Sequence, residues 1–455
     1  MSLRFLLLAL GLCLGLPAYA DTRYDLEDPA LAGTVNGEPL STVFVDLMHR
    51  IAAKGDPDIA RATVVQALLD DRLIAAHARA SSEPGEHLIE ENKVVFSPEM
   101  QIRQAMVSNL QAGFRQQMEA RLKREKGGSL NGVILSERAP TAAEWRAMLG
   151  PDQGLRAEYA LDAKGRAAAD RVVLLRYRFG QDAPGKVTLL EVYDGQNVQG
   201  RELLHARNDA FAADQARLLL KQRWILRWGQ SDEALGAADF AVFARAMEDR
   251  LVHTGWMAHL GVAVDIHDDP QHLKDLQAQV TPEEIRAYYE ANRDEFRRIE
   301  KVRARHVRVK DEATANKLAE RLQQGASLAD LAREHSSAAD AASGGDLGWI
   351  VHGEKAHGWL DSLAFLQQPG KPGRPVRLPG AAGEEPGWEI MLVEERVMGW
   401  QPLESESVRY LASQAIAKHK ALAEYRGTVE RLRREATIRL HPELSPLARP
   451  QEAGE

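Results

Sequence analysis

Cysteine is almost missing from this chain: one residue, Cys13, in 455. It sits inside the apolar run Phe5–Leu16, which follows Arg4 and precedes the small-x-small site Ala18-Tyr19-Ala20. That pattern predicts a secretory leader over residues 1–20. Once the leader is removed no thiol is left, which excludes disulfides, a cysteine nucleophile and a cysteine-held metal. Stability must then come from burial alone. Removal takes one basic and no acidic residue, so the net charge of −8 becomes −9. A basic surface is therefore lacking, and no stripe of Lys and Arg with interleaved aromatics appears, so nucleic acid is excluded as a partner. After leader removal no apolar run approaches the roughly 20 residues of a membrane helix, so no integral membrane segment is expected. No strand leads into a glycine-rich phosphate loop with a lysine, and no Ser-His-Asp order stands out. His352 and His357 lie near Glu354 without HExxH spacing, and read as a surface loop rather than a metal site. Neither a metal nor another cofactor is expected.

The chain divides by pattern. Residues 21–30 read as a loose leader to the folded part, and Gly33–Leu40 as a short strand with an Asn-Gly turn. Helices follow from Ser41, from Asp56-Pro57 (with Val65, Leu68, Leu69, Leu73 and Ala76 on one face) and from Ser97-Pro98-Glu99. Residues 130–235 differ: Arg171–Phe179 and Lys186–Tyr193 read as strands around a turn, and Asn208–Trp228 as a helix whose Trp224 and Trp228 belong to a core. Ala237–Leu260 is helical. Thr281-Pro282-Glu283-Glu284 is a capping box that opens another helix. Residues 302–397 form an α/β unit, with strands at Val302–Val309 and Trp388–Val397 and short helices between. A long helix with a heptad-like apolar stripe covers 404–435 and is expected to pack on the N-terminal helices. Ala436–Leu440 is a last strand. The expected fold class is α+β: a mostly helical module of N-terminal helices plus a returning C-terminal helix, a β-containing insert, and an α/β domain. The segments are 21–129 (helical module), 130–235 (α/β insert of unassigned role), 236–300 (helical connector), 301–398 (α/β domain), 399–441 (C-terminal helix and strand) and 442–455 (disordered tail).

Ser343-Gly344-Gly345-Asp346-Leu347-Gly348-Trp349 is the most informative segment. A glycine pair marks positive φ or close backbone approach. Upstream lie Ala304-Arg305-His306-Val307 on the first strand and the phrase Gly325-Ala326-Ser327-Leu328-Ala329-Asp330-Leu331-Ala332. Glu334-His335-Ser336 comes just before the turn; Ala364-Phe365, Pro375-Val376 and Gly387-Trp388-Glu389-Ile390 follow it. In this order the motifs resemble the parvulin family of peptidyl-prolyl isomerases. The flanking helical segments look like the exported SurA-type chaperone-isomerases, which makes 21–129 with 236–300 and 399–441 a chaperone-like module and 301–398 a parvulin-like domain. The insert 130–235 is not accounted for by the resemblance.

The resemblance implies a site of two facing histidines, a Cys or Asp near the glycine loop, and an apolar cup. His306 matches the first histidine. Glu389 stands where the second falls, and Ala338 where the acid or thiol falls; Asp340 is a displaced alternative for that acid. A Glu389 paired with His306 would raise the imidazole pKa. His306 and Glu389 are the candidate catalytic residues, and Leu360, Phe365 and Trp349 the candidate substrate-binding ones. The implied function is an exported peptidyl-prolyl cis-trans isomerase and foldase, periplasmic, acting on unfolded or proline-containing exported polypeptides. The alternative is a catalytically degenerate parvulin that acts as a client-binding chaperone or a dedicated maturation factor, with His306 as a core residue holding the sheet. Ala338 and Glu389 are the residues on which the two readings divide.

Overall fold

Hydroxyl, carboxylate and amide side chains open most of the helices of this chain, each accepting a backbone N–H left unpaired in the first turn. The computed structural model describes residues 22–82, 88–89, 96–126, 128–151, 159–263, 270–378 and 387–445. The expected leader, with Cys13, lies outside the described residues. The fold has two units, Met1–Leu273 with Ala421–Glu455, and Lys274–Lys420.

The first unit begins with β1 (Thr22–Arg23), β2 (Leu31–Val35) and β3 (Glu38–Ser41). The Ser41 hydroxyl accepts from Phe44 N at 3.1 Å and starts α1 (Thr42–Ala52). The second helix, α2 (Arg61–Ser81), starts later than the Asp56-Pro57 signal suggests. The Asp56 carboxylate accepts from Asp58 N at 3.2 Å, closing a local turn instead of capping a helix. In α3 (Pro98–Lys126) the backbone leaves helical geometry at Phe114, with φ −127° and ψ 23°. A Cβ on Gly113 would lie 2.0 Å from Leu47 Cδ1, so α1 packs closely on α3 at this glycine. Arg50 donates to the Gly113 carbonyl at 3.2 Å and Lys54 to that of Ala112, satisfying acceptors at the kink.

Residues 130–229 carry their own core. It is built from β4 (Ile134–Glu137), α4 (Ala142–Leu149), α5 (Ala163–Arg171), β5 (Val173–Tyr177), β6 (Gly185–Thr188), α6 (Leu189–Asp194), α7 (Val198–His205) and α8 (Asp209–Gly229). The strands run in the order β4-β5-β6, and Trp145, Leu174, Leu189, Tyr193 and Leu220 are buried against them. The expected strand 186–193 stops at Thr188. Thr188 and Glu191 form a reciprocal cap that turns the chain into α6, so a local capping box overrides an apolar run. Trp228, at the end of α8, is buried, its ring centre 5.2 Å from that of Phe114 in an edge contact, and Trp224 packs on the same core, as expected of core residues.

Next come α9 (Gly236–His259) and α10 (Gln271–Ala278). The second unit continues with α11 (Pro282–Ala291), β7 (Arg297–Val309), α12 (Glu312–Gln323), α13 (Leu328–His335), β8 (Asp346–Val351), α14 (Trp359–Leu366), β9 (Val376–Arg377) and β10 (Trp388–Trp400). Its sheet has the order β8-β7-β10-β9, with β7 and β10 antiparallel along their whole length. The Thr281–Glu284 box opens α11 as read from the sequence. One core lies under each face: Val307, Val309 and Ile390 with α12 and α13, and Val302, Ala304, Met391 and Val393 with α14.

The chain closes with α15 (Glu406–Glu435) and β11 (Ile438–Leu440). Val408 and Ala412 of α15 pack with Tyr289 and Phe296, and further along Tyr425 and Val429 pack with Ile74 and Met257. Thus only the later stretch of the stripe packs on the N-terminal helices. In the first unit β11 pairs antiparallel with β2 and parallel with β1, so residues 22–23, expected to be loose, are a paired strand. A strand flanked by one neighbour leaves a row of N–H and C=O groups open, and β1 covers it. Pro442–Leu444 forms a helical turn with Leu444 buried, which shortens the expected disordered tail; residues 446–455 lie outside the described residues.

Two neighbouring acids on α2 hold this return. Asp70 binds Arg433 of α15 through Nε at 2.9 Å and through Nη2, both side chains being buried. Asp71 binds Nδ1 of His253 at 2.7 Å, and Nε2 of that ring meets the Tyr425 hydroxyl at 3.0 Å. Breaking a buried pair leaves one charge uncompensated. Asp70→Asn should therefore lower the unfolding free energy of this unit by about 3–5 kcal/mol, while Asp70→Leu with Arg433→Leu should cost distinctly less. Urea denaturation of the three proteins checks this; equal losses in the single and double variants would refute it.

Candidate active site

Alternation along β7 sends Val302, Ala304, His306 and Arg308 to one face of the sheet and Arg303, Arg305, Val307 and Val309 to the other. On β10, Met391 stands opposite His306 and Glu389 opposite Arg308. Nδ1 of His306 lies 2.8 Å from Oε2 of Glu389, and Oε1 of Glu389 accepts from Nε of Arg308. The other ring nitrogen, Nε2, lies 2.8 Å from Oδ2 and 3.1 Å from Oδ1 of Asp340. His306 is 2 % exposed and Glu389 fully buried.

The glycine turn brings Asp340 there. The Asp340 carbonyl accepts from Ser343 N and Gly345 N, both at 3.0 Å, and from the Ser343 hydroxyl at 2.8 Å. Gly345 returns its carbonyl to His306 N at 2.9 Å. Gly345 has φ +65°, and a Cβ on it would sit 1.9 Å from the His306 carbonyl oxygen. Only glycine lets the turn lie against the strand. Ala338, the position expected for the acid, carries no polar side chain. The carboxylate comes instead from Asp340, further along the same loop.

A neutral imidazole has one N–H, whereas here each ring nitrogen faces a carboxylate. Burial pushes the His306 pKa down. The hydrogen bond and charge of Glu389, then those of Asp340, outweigh it and hold the pKa above the ordinary histidine value. The site thus holds a buried imidazole, its pKa raised, between two carboxylates, one of which is shared with an arginine.

Among the other expected site residues, Leu360 is a core residue of the face that carries His306, 5 % exposed, and supports that face from α14 rather than forming an open wall. Phe365 packs against the same cluster, its ring 5.7 Å from His352 in an edge contact. Trp349 is not brought to the site. It stands opposite Arg303, on the other face, with Lys301 Nζ 4.5 Å from its ring centre. That face carries a separate network in which Arg305 binds Glu394 at 2.8 Å and Asp346 at 2.9 Å. Among the described residues no group of His, Cys, Asp and Glu is arranged to hold a metal. Arg308 is the residue that sequence reading missed. Its signal was present: two residues from His306 on one strand face, with an acid directly across.

The four-stranded sheet, the glycine turn and His306 between two carboxylates all lie within one matched domain. Residues 280–397 match the family described as the PPIC-type PPIASE domain, and the domain is of the parvulin class. Named relatives are chaperones and foldases. The "Chaperone SurA" of Nitrosospira multiformis is 34% identical over 149 residues, 31% of this chain and 32% of that protein. The "Foldase protein PrsA" of Caldanaerobacter subterraneus subsp. tengcongensis is 37% identical over 108 residues, 24% of this chain and 33% of that protein. The chain spans about a third of the length of these curated relatives. A crystal structure of a PpiC-type peptidyl-prolyl cis-trans isomerase domain is 29% identical, covering 23% of this chain and 97% of that one, with a TM-score of 0.19.

A raised folded pKa adds stability that is complete below the ordinary histidine value and is lost as pH rises through the raised one. The imidazole of His306 should therefore stay protonated in NMR titrations above about pH 6.5. In Asp340→Asn its titration should move down toward that value, since one carboxylate is gone. An unshifted titration in the wild-type protein would rule out the raised pKa.

Proposed function

We propose that this protein is an exported parvulin-type peptidyl-prolyl cis-trans isomerase and foldase, acting in the periplasm on unfolded or proline-containing polypeptides. The observation that carries this reading is His306, held by Glu389 and Asp340 on the central strand of the PPIC-type domain. The leader pattern at residues 1–20 supports export. In this reading segment 301–398 is the isomerase domain. Segments 21–129, 236–300 and 399–441 are the chaperone-like module, and 130–235 is an insert on it.

Rotation about an Xaa–Pro bond meets a barrier of about 18–20 kcal/mol because amide resonance is lost. A catalyst need only bind the twisted amide better than either planar isomer. It needs no nucleophile and no metal, only an apolar seat for the ring and fixed polar groups around the carbonyl. His306, Glu389 and Asp340 are the polar groups in this reading, and Met391, Leu360 and Phe365 belong to the apolar face beside them. A second reading has its own support: both nitrogens of the buried His306 are already occupied. It makes the domain a client-binding scaffold without turnover.

Exchange NMR on short Xaa-Pro peptides separates the two. The purified protein should accelerate isomerisation at least about tenfold over buffer, some 1.4 kcal/mol off the barrier, and Asp340→Asn and His306→Ala should lose most of that. Rates equal to buffer, in a protein that still suppresses aggregation of an unfolded exported client, would replace the first reading by the second.

A further inference from the structure

Around His306 every carboxylate oxygen has a hydrogen-bond partner, and one residue keeps donors open. Glu389 gives Oε2 to His306 and Oε1 to Nε of Arg308, and Asp340 gives both oxygens to His306. Arg308 is different. Its side chain is 35 % exposed, its Nε is anchored to a fully buried carboxylate, and its Nη1 and Nη2 meet no acceptor among the described residues. It projects from the same sheet face as His306 and stands directly across from Glu389. A guanidinium fixed at Nε is a planar fork with little freedom left to lose, and such a fork matches a carboxylate in two parallel hydrogen bonds.

The charges agree with this. Glu389 is paired with His306 and Arg308, and Asp340 with His306, so neither carboxylate beside the site lacks a partner. Arg303 and Arg305, the cations nearest to Arg308 on this strand, are committed to Glu394 and Asp346 on the opposite face. The donor capacity left open beside His306 is thus that of Arg308, and it is cationic.

We propose that Arg308 is a specificity-determining residue that selects client segments with an acidic side chain adjacent to proline, binding its carboxylate through Nη1 and Nη2. The proposal rests on the isomerase reading for the location of the proline, and on Arg308 alone for the selection. Fluorescence anisotropy with the full-length protein would use labelled peptides with Glu, Gln or Lys immediately before or after proline. The Glu peptide of one of the two series should bind about 5- to 20-fold tighter than its Gln counterpart, and the Lys peptide weaker still. In Arg308→Leu that preference should fall to within about twofold, and in Arg308→Lys, which keeps the charge without the fork, it should be intermediate. Thermal unfolding of both variants shows that they remain folded. Equal affinity for Glu and Gln peptides, a preference that survives Arg308→Leu, or no binding of any peptide would overturn the proposal. Exchange NMR on the same peptides keeps the two readings apart. Preference without acceleration sinks the isomerase and leaves the selection standing, and acceleration without preference does the reverse.

Discussion

The second unit depends on one close approach: the backbone of Gly345 against the backbone of His306. A single Cβ would end it, because the atom would fall 1.9 Å from the His306 carbonyl oxygen. With glycine there, the turn docks on the central strand, and its hydrogen bonds fold back onto the Asp340 carbonyl. Asp340 is then carried to the far nitrogen of His306. Backbone permissiveness at one residue thus sets the electrostatics of a buried side chain far away in sequence.

Those electrostatics follow a rule of compensation. A buried charge is tolerated only when its partners are buried or fixed with it. His306 has a carboxylate on each nitrogen, and Glu389, wholly out of water, is shared between His306 and Arg308. Ala338 offers no acid, and the carboxylate at the far ring nitrogen comes from Asp340; Glu389 is satisfied by His306 and Arg308 together. The first unit uses the same rule for a different purpose. Asp70 and Asp71, adjacent on α2, bind Arg433 and His253, and His253 reaches Tyr425, so the returning helix is tied to the N-terminal ones through charge as well as through packing.

Much of the fold was legible because its signals are local. The Thr281–Glu284 box, the Ser97-Pro98-Glu99 start and the apolar face from Val65 to Ala76 need no knowledge of distant residues. The misreadings were local competitions or distant pairings. At 186–193 a capping box defeated an apolar run, and at Asp56-Pro57 an Asp-centred turn displaced a helix start. At 22–23 the partner strand lies at the other end of the chain, beyond any window of sequence.

The site divides along the same line. The amino-acid sequence by itself pointed, through the order of its motifs, to the parvulin-type scaffold, to His306 as its histidine and to Glu389 as the residue in the second histidine's place. It also required glycine at the turn. Only the tertiary structure decided that Asp340 and not residue 338 supplies the acid, that Trp349 faces away, that Leu360 is core, and that Arg308 shares Glu389. These depend on which face a strand register presents and where a loop lands after its backbone hydrogen bonds close. Both are set by pairing across the sheet rather than by neighbours in the chain.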